Sequence, residues 1–83
     1  MQLTFKLYAG LMTYLPEDSK DHATAIEIDT SATVLDVVDR FAIPRDLVHL
    51  VLLNGVYLHP EERLVPCFNE GDTLAIWPPV AGG

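Results

Sequence analysis

One segment of this chain, and no other, spaces its apolar residues as a helix does. Val34, Leu35, Val38, Phe41 and Ala42 recur at helical intervals, while Asp36, Asp39 and Arg40 fall on the other side. Thr33 stands just before it, and Asp36 three residues on makes a capping-box pattern with Asp in place of the preferred Glu. A helix is expected from about Val34 to Phe41, stopped by Pro44, which opens a short turn through Arg45, Asp46 and Leu47. A single helix can cover only one face of a sheet, so the chain is expected to be α+β, two layers with a mixed sheet. Its 83 residues make one domain with a modest core.

The strands read from period two. Leu3, Phe5 and Leu7 point one way and Thr4, Lys6 and Tyr8 the other. Gly10 breaks this pattern, and residues 11–15 read as one helical turn ended by Pro16. Residues 17–22 are polar and unpatterned, an exposed loop. Residues 24–29 alternate again, with Ile26 and Ile28 inward, and their short separation from the first strand suggests an antiparallel pair. Residues 49–53 are apolar at nearly every position after His49, which reads as a strand covered on both faces and central in the sheet. Asn54-Gly55 is a tight-turn dipeptide leading into a short strand, Val56-Tyr57-Leu58. Residues 60–64 read as an exposed turn, and Glu70-Gly71-Asp72 turns into the last strand, Thr73 to Trp77. The first and last strands carry the cleanest patterns and are expected to be neighbours under the helix.

Twelve acidic residues against five basic ones give a net charge of −7, which argues against binding a phosphate backbone or an anionic membrane. The acidity serves either solubility or docking onto a basic partner surface. With no apolar run near the roughly 18 residues of a membrane helix and no basic region leading an apolar stretch, a cytoplasmic protein is expected. His22, His49 and His59 are too scattered for a metal motif, so no metal is expected. Gly10, Gly55 and Gly71 are isolated and make no phosphate loop. Cys67 has no nearby base to lower its pKa and reads as a buried or half-buried structural thiol. Glu61-Glu62 reads as a solvated turn, and a chain this small encloses no substrate pocket of its own.

What remains is the segment Pro78-Pro79-Val80-Ala81-Gly82-Gly83. Two prolines stiffen the exit from the last strand, and Gly82-Gly83 offers no side chain. Such a segment is either a frayed terminus or a tail able to thread a narrow channel. Trp77, where strand becomes tail, is either core or an apolar anchor for a partner. If Leu74 and Ile76 face the helix, Ala75 and Trp77 face outward, which favours the anchor. Leu58 and Leu53 are second-rank interface candidates.

Leu52-Leu53-Asn54-Gly55, Leu64 and the run from Gly71 to Gly83 resemble the second half of the MoaD/ThiS ubiquitin-like sulfur carriers. The strand ending near Tyr8-Ala9 and the helix start Thr33-Val34-Leu35-Asp36 agree more loosely. The resemblance implies a β-grasp domain over residues 1–77 and a flexible tail over 78–83. It also implies a carrier with no catalysis or bound cofactor of its own. An adenylating enzyme related to ubiquitin activators would use ATP and magnesium to activate the Gly83 carboxylate. A persulfide sulfur donor would then displace AMP and leave a thiocarboxylate. Gly82, with Ala81, Val80, Pro79 and Pro78, would thread the partner's channel. Pro78-Pro79-Val80-Ala81 looks like the small subunit of molybdopterin synthase, whose tail enters a MoaE-like large subunit and supplies dithiolene sulfur. The compact stretch from Val34 to Leu50 departs from the usual molybdopterin pattern, and the Asn54-Gly55 turn is also common in the thiamine branch, so a ThiS-type carrier stays open. So do a ubiquitin-like modifier joined through Gly83 to protein lysines and an interaction module with an inert tail.

Overall fold

The structure, a computed structural model, describes residues 1–80; Ala81, Gly82 and Gly83 lie outside the described residues. The strands are β1 (Gln2–Leu7), β2 (Ala23–Glu27), β3 (Leu50–Leu53), β4 (Val56–Tyr57) and β5 (Asp72–Trp77), and the helix is α1 (Val34–Arg40). Short 3-10 helices span Ala9–Tyr14, Arg45–Leu47 and Pro60–Leu64. The sheet order is β2-β1-β5-β3-β4. β1 and β5 run parallel and the other neighbours antiparallel. This is the ubiquitin-like β-grasp, with α1 across one face of a mixed five-stranded sheet.

Alternation in β1 works as the sequence implies. Leu3, Phe5 and Leu7 are buried, Thr4 and Lys6 half-buried on the opposite face. From β5, Leu74 and Ile76 join them; α1 contributes Val34, Val37 and Val38, and β3 contributes Val51. Burial of these side chains is the main favourable term, about 1.5–3 kcal/mol for each large one. At the helix start, Thr33 Oγ1 accepts from the Asp36 amide at 3.1 Å and Asp36 Oδ2 accepts from the Thr33 amide at 2.9 Å, the reciprocal box that the sequence suggests.

The helix ends differently from expectation. Ala42, read as part of the apolar face, is exposed and left-handed at φ 58°. Its amide donates to Asp39 O at 3.0 Å and the Ile43 amide to Val38 O at 3.1 Å. These two bonds make the Schellman termination, which brings Ile43 into the core against Val38 in place of Ala42. A left-handed conformation costs a residue with a Cβ about 1–2 kcal/mol, part of which glycine recovers. Ala42→Gly is therefore expected to raise stability by about 0.5–1 kcal/mol, read as a higher urea midpoint with an unchanged slope.

Two other expectations fail for physical reasons. β3 is neither central nor covered on both faces. Val51 is buried, but Leu50 and Leu52 are half-buried, because α1 lies on the other side of the sheet. β5 holds the centre. Second, the turn over Pro60–Leu64 is not wholly exposed. Arg63 is buried, its guanidinium donating twice to Leu58 O at 3.1 and 2.8 Å and lying 5.7 Å from the centre of the Tyr57 ring. A buried cation needs such acceptors, and here carbonyl oxygen supplies them.

Both ends of the β2 edge are occupied. Lys20 and Ala23 exchange backbone hydrogen bonds at one end, and Arg40 donates to Glu27 O at the other. This blunts an edge that would otherwise invite pairing with another chain. On the helix side, Arg45 holds Asp39 in a two-bond pair that lowers the Asp39 pKa, first through the hydrogen bond and then through charge.

Candidate functional site

The segment after Trp77 leaves from a strand that is gripped along both sides. β5 pairs with β1 from Leu3↔Asp72 to Leu7↔Ile76 and with β3 from Leu50↔Trp77 to Leu53↔Leu74. Its first residue is latched as well. Asp72 is buried and accepts from Asn54 Nδ2 at 2.9 Å and from the Asn69 amide at 2.8 Å. Asn54 in turn accepts from the Thr73 amide at 2.9 Å. Asn54 and Gly55 hold positive φ, 52° and 81°, as the tight turn of an Asn-Gly hairpin requires.

At the other end the ladder closes with two bonds. The Tyr8 amide donates to Ile76 O at 3.2 Å and the His49 amide to Trp77 O at 3.0 Å. Pro78 and Pro79 then have no amide hydrogen to offer, so the ladder cannot continue. Pro78 is half-buried, while Pro79 and Val80 are exposed, Val80 at 78%. An open, largely apolar recess of about 660 Å³ lies at this exit, walled by Ala9, His49, Leu50, Trp77 and residues 78–80. No acidic side chain lines it.

Trp77 is half-buried and lies on the outer face of the sheet, opposite Leu74 and Ile76 in alternation. Its ring stacks flat on Tyr8, centroids 4.2 Å apart with planes 2° from parallel, and Tyr8 stacks in turn on His22 at 5.1 Å. Beside it on the same face the register aligns Leu50 with Trp77 and Leu52 with both Ala75 and Tyr57. Ala75 has the outward parity expected, but it is small enough to be covered by its neighbours and is buried.

The other interface candidates move inward. Leu58 offers little surface to a partner. It is 8% exposed and belongs to the core, because the chain leaves β4 after Tyr57 and the Leu58 amide donates back to Val51 O at 2.9 Å. Leu53 is half-buried and packs against the same core from the helix-facing side. Residues missed by sequence reasoning are Leu50, Leu52, Tyr57 and His22. The first three follow from alternation once β3 is known to have an open face. His22 carries no local signal, being brought to Tyr8 by pairing of distant strands. The candidate residues Gly83, Gly82 and Ala81 lie outside the described residues.

Among the described residues no three His, Cys, Asp or Glu side chains gather closely enough to hold a metal ion, and no helix is long and apolar enough to cross a membrane. Cys67 is half-buried, and burial, then the nearby Asp72 and Glu62 charges, push its thiol pKa up. It is a weak nucleophile on that account. Iodoacetamide at mildly alkaline pH is expected to alkylate it several-fold more slowly in the folded chain than in urea, read by mass spectrometry.

Comparison with known proteins agrees with this geometry. The family model described as Mut7-C ubiquitin matches residues 1–81. No curated protein matches the chain. Among solved structures, the crystal structure of SAMP1 from Haloferax volcanii superposes with a TM-score of 0.66 at 26% identity, all of both chains covered. A crystal structure of H. volcanii small archaeal modifier protein 1 gives 0.62 at 26% identity, covering 95% of this chain and 98% of that one. The solution structure of the Haloferax volcanii HVO 2177 protein gives 0.72 at 24% identity, over 100% of this chain and 87% of that one, a likeness of fold.

Proposed function

The chain belongs to the Mut7-C ubiquitin family, and from that premise we propose that it is a small ubiquitin-like carrier that works through the carboxyl group of Gly83. Residues 1–77 are the handle and 78–83 the working tail. The observation that supports this most is the exit itself. A central strand held on both edges stops at Trp77 and hands over to two prolines and then to Val80, ahead of Ala81-Gly82-Gly83.

The chemistry is carried out by partners. A carboxylate is a poor electrophile. In an adenylating enzyme related to ubiquitin activators, with magnesium and ATP, the Gly83 carboxylate attacks the α-phosphorus and expels pyrophosphate. The resulting acyl-adenylate has AMP as its leaving group. The terminal sulfur of a persulfide donor attacks the acyl carbon and expels AMP. A thiol then reduces the acyl disulfide, leaving a thiocarboxylate on Gly83. In a MoaE-like large subunit that sulfur would pass to a pterin precursor of the molybdenum or tungsten cofactor; a thiazole-forming enzyme of thiamine synthesis is the alternative acceptor. The carrier catalyses no step itself and holds no cofactor. Its acidic body suits docking on basic partner surfaces in the cytoplasm.

A second reading is favoured by the likeness to small archaeal modifier protein 1. There the same acyl-adenylate passes to a lysine amine and forms an isopeptide bond. Gly83 must be the last residue of the working protein in both readings, and the intact mass of protein from its native cells tests that first. An oxygen-to-sulfur mass increase localised to Gly83 is the result expected of a carrier. Larger conjugates with a Gly-Gly remnant on lysine are the result expected of a modifier. A chain that ends elsewhere, or bears neither change, overturns both.

A further inference from the structure

We propose that Tyr8 is a positioning residue for the tail, fixing through its stack on Trp77 the direction in which the chain leaves the sheet. The inference rests on the reading that residues 78–83 act in a partner's site. Three observations carry it. The backbone ladder ends at Ile76 O and Trp77 O, and among the described residues no sheet hydrogen bond follows them. Pro78 and Pro79 have no amide hydrogen with which to donate one. The Trp77 side chain is thus a main restraint at the exit, and it lies face to face with Tyr8 at 4.2 Å with planes 2° apart.

Side-chain rotamer and backbone angles are coupled, so holding the indole in one rotamer narrows the backbone of Trp77. The residue before a proline is already confined to extended conformations, which narrows it further. Tyr8 is a suitable stop because it is itself fixed. Its amide is tied to Ile76, its other ring face is covered by His22, and the chain turns sharply at Ala9, φ 52°. The recess lies at the same exit, walled by Trp77, Leu50 and residues 78–80, so a change in the indole also changes the recess. The effect of Tyr8 passes through Trp77, the residue it stacks on.

If the stack selects a presented direction, losing it lowers the competent fraction and raises the apparent dissociation constant in proportion. Tyr8→Leu in the full chain is expected to raise the carrier's KM about three- to tenfold in ATP–pyrophosphate exchange by the adenylating enzyme of the same cells, with kcat unchanged. Tyr8→Phe keeps the ring and is expected to stay within about twofold of wild type. The heteronuclear NOE of the Val80 amide, measured on the protein alone, should fall in Tyr8→Leu and hold in Tyr8→Phe. Trp77→Leu removes the stack from the other side, and adding Tyr8→Leu to it should change KM no further. It serves equally if Tyr8→Leu does not fold.

An unchanged KM and an unchanged Val80 signal in Tyr8→Leu overturn the role of Tyr8. So does a Tyr8→Phe protein as poor as Tyr8→Leu, which would assign the effect to the hydroxyl. If the wild-type chain supports no exchange at all, the carrier reading fails, while the Val80 measurement still decides whether Tyr8 directs the tail.

Discussion

Deleting Gly83, or adding one residue after it, is expected to reduce adenylation of the carrier by more than about a hundredfold, to the background of the assay. An extended residue spans about 3.3–3.6 Å, so deletion withdraws the carboxyl by that distance from wherever the partner holds ATP. A misplacement of about 1 Å in a reacting group can already cost about a hundredfold. The tail cannot stretch to compensate, because the ladder fixes its root at Trp77 and the prolines stiffen its first two residues. Addition is as damaging as deletion, since it moves the carboxyl past the reacting phosphorus and leaves a peptide bond in its place. ATP–pyrophosphate exchange, with the variants' melting curves as a control, measures this. Thermal stability should be untouched, because among the described residues the buried core runs from Leu3 to Ile76, ahead of the tail. Full function of the extended protein in its own cells, with no exchange detected, would overturn the carrier and modifier readings together and leave a module whose tail is inert.

Phe5→Ala is expected to be the most damaging single change to the fold. Phe5 is fully buried, pairs across the sheet with Thr24 and Leu74, and lies 4.9 Å from the Phe41 ring at the end of the helix. It therefore joins both layers at once. Truncating a buried Phe costs about 3–5 kcal/mol, the transfer of the ring plus the cavity it leaves. A domain of this length has about 4–12 kcal/mol in all, so about a quarter or more of its stability is at stake. A fall in melting temperature of about 12–40 °C should follow. Phe5→Leu, which refills much of the space, should recover over half of the loss. If Phe5→Ala melts within a few degrees of wild type, the β1 register is wrong, because only the observed register puts this ring between the helix and β5.

Much of this architecture was legible from spacing. The alternation of Leu3, Phe5 and Leu7, the Thr33–Asp36 box and the Asn54-Gly55 turn each state a local geometry that the fold keeps. Neighbouring first and last strands could be expected, though nothing local says that they run parallel. The errors share a cause. The apolar run at β3 says only that those residues avoid water, and cannot say that one face of the sheet is left open. Arg63 sits in a polar stretch whose burial depends on the Leu58 carbonyl, a partner visible only once β4 has turned inward. Ala42 matches the helical period and is removed from it by a backbone turn that period cannot report. For the site, the exit from the last strand at Trp77 was legible, but Tyr8 meets the indole, and His22 meets Tyr8, only through strand pairing.

The parallel contact between β1 and β5 also sets a schedule. A ribosome makes β1 first of the five strands, yet the strand that completes its hydrogen bonding is the last of the sheet to be made. About 70 further residues must be added, on the order of 4–14 s of synthesis at 5–20 residues per second. In that interval β1 has only β2 beside it, and a two-stranded hairpin is marginal in water. The sheet joins its two halves only when translation has passed Trp77, so a chain that stalls earlier has neither a folded body nor an exit for the tail. The topology thus ties folding of the body to completion of β5: a joined sheet requires that synthesis has reached Trp77.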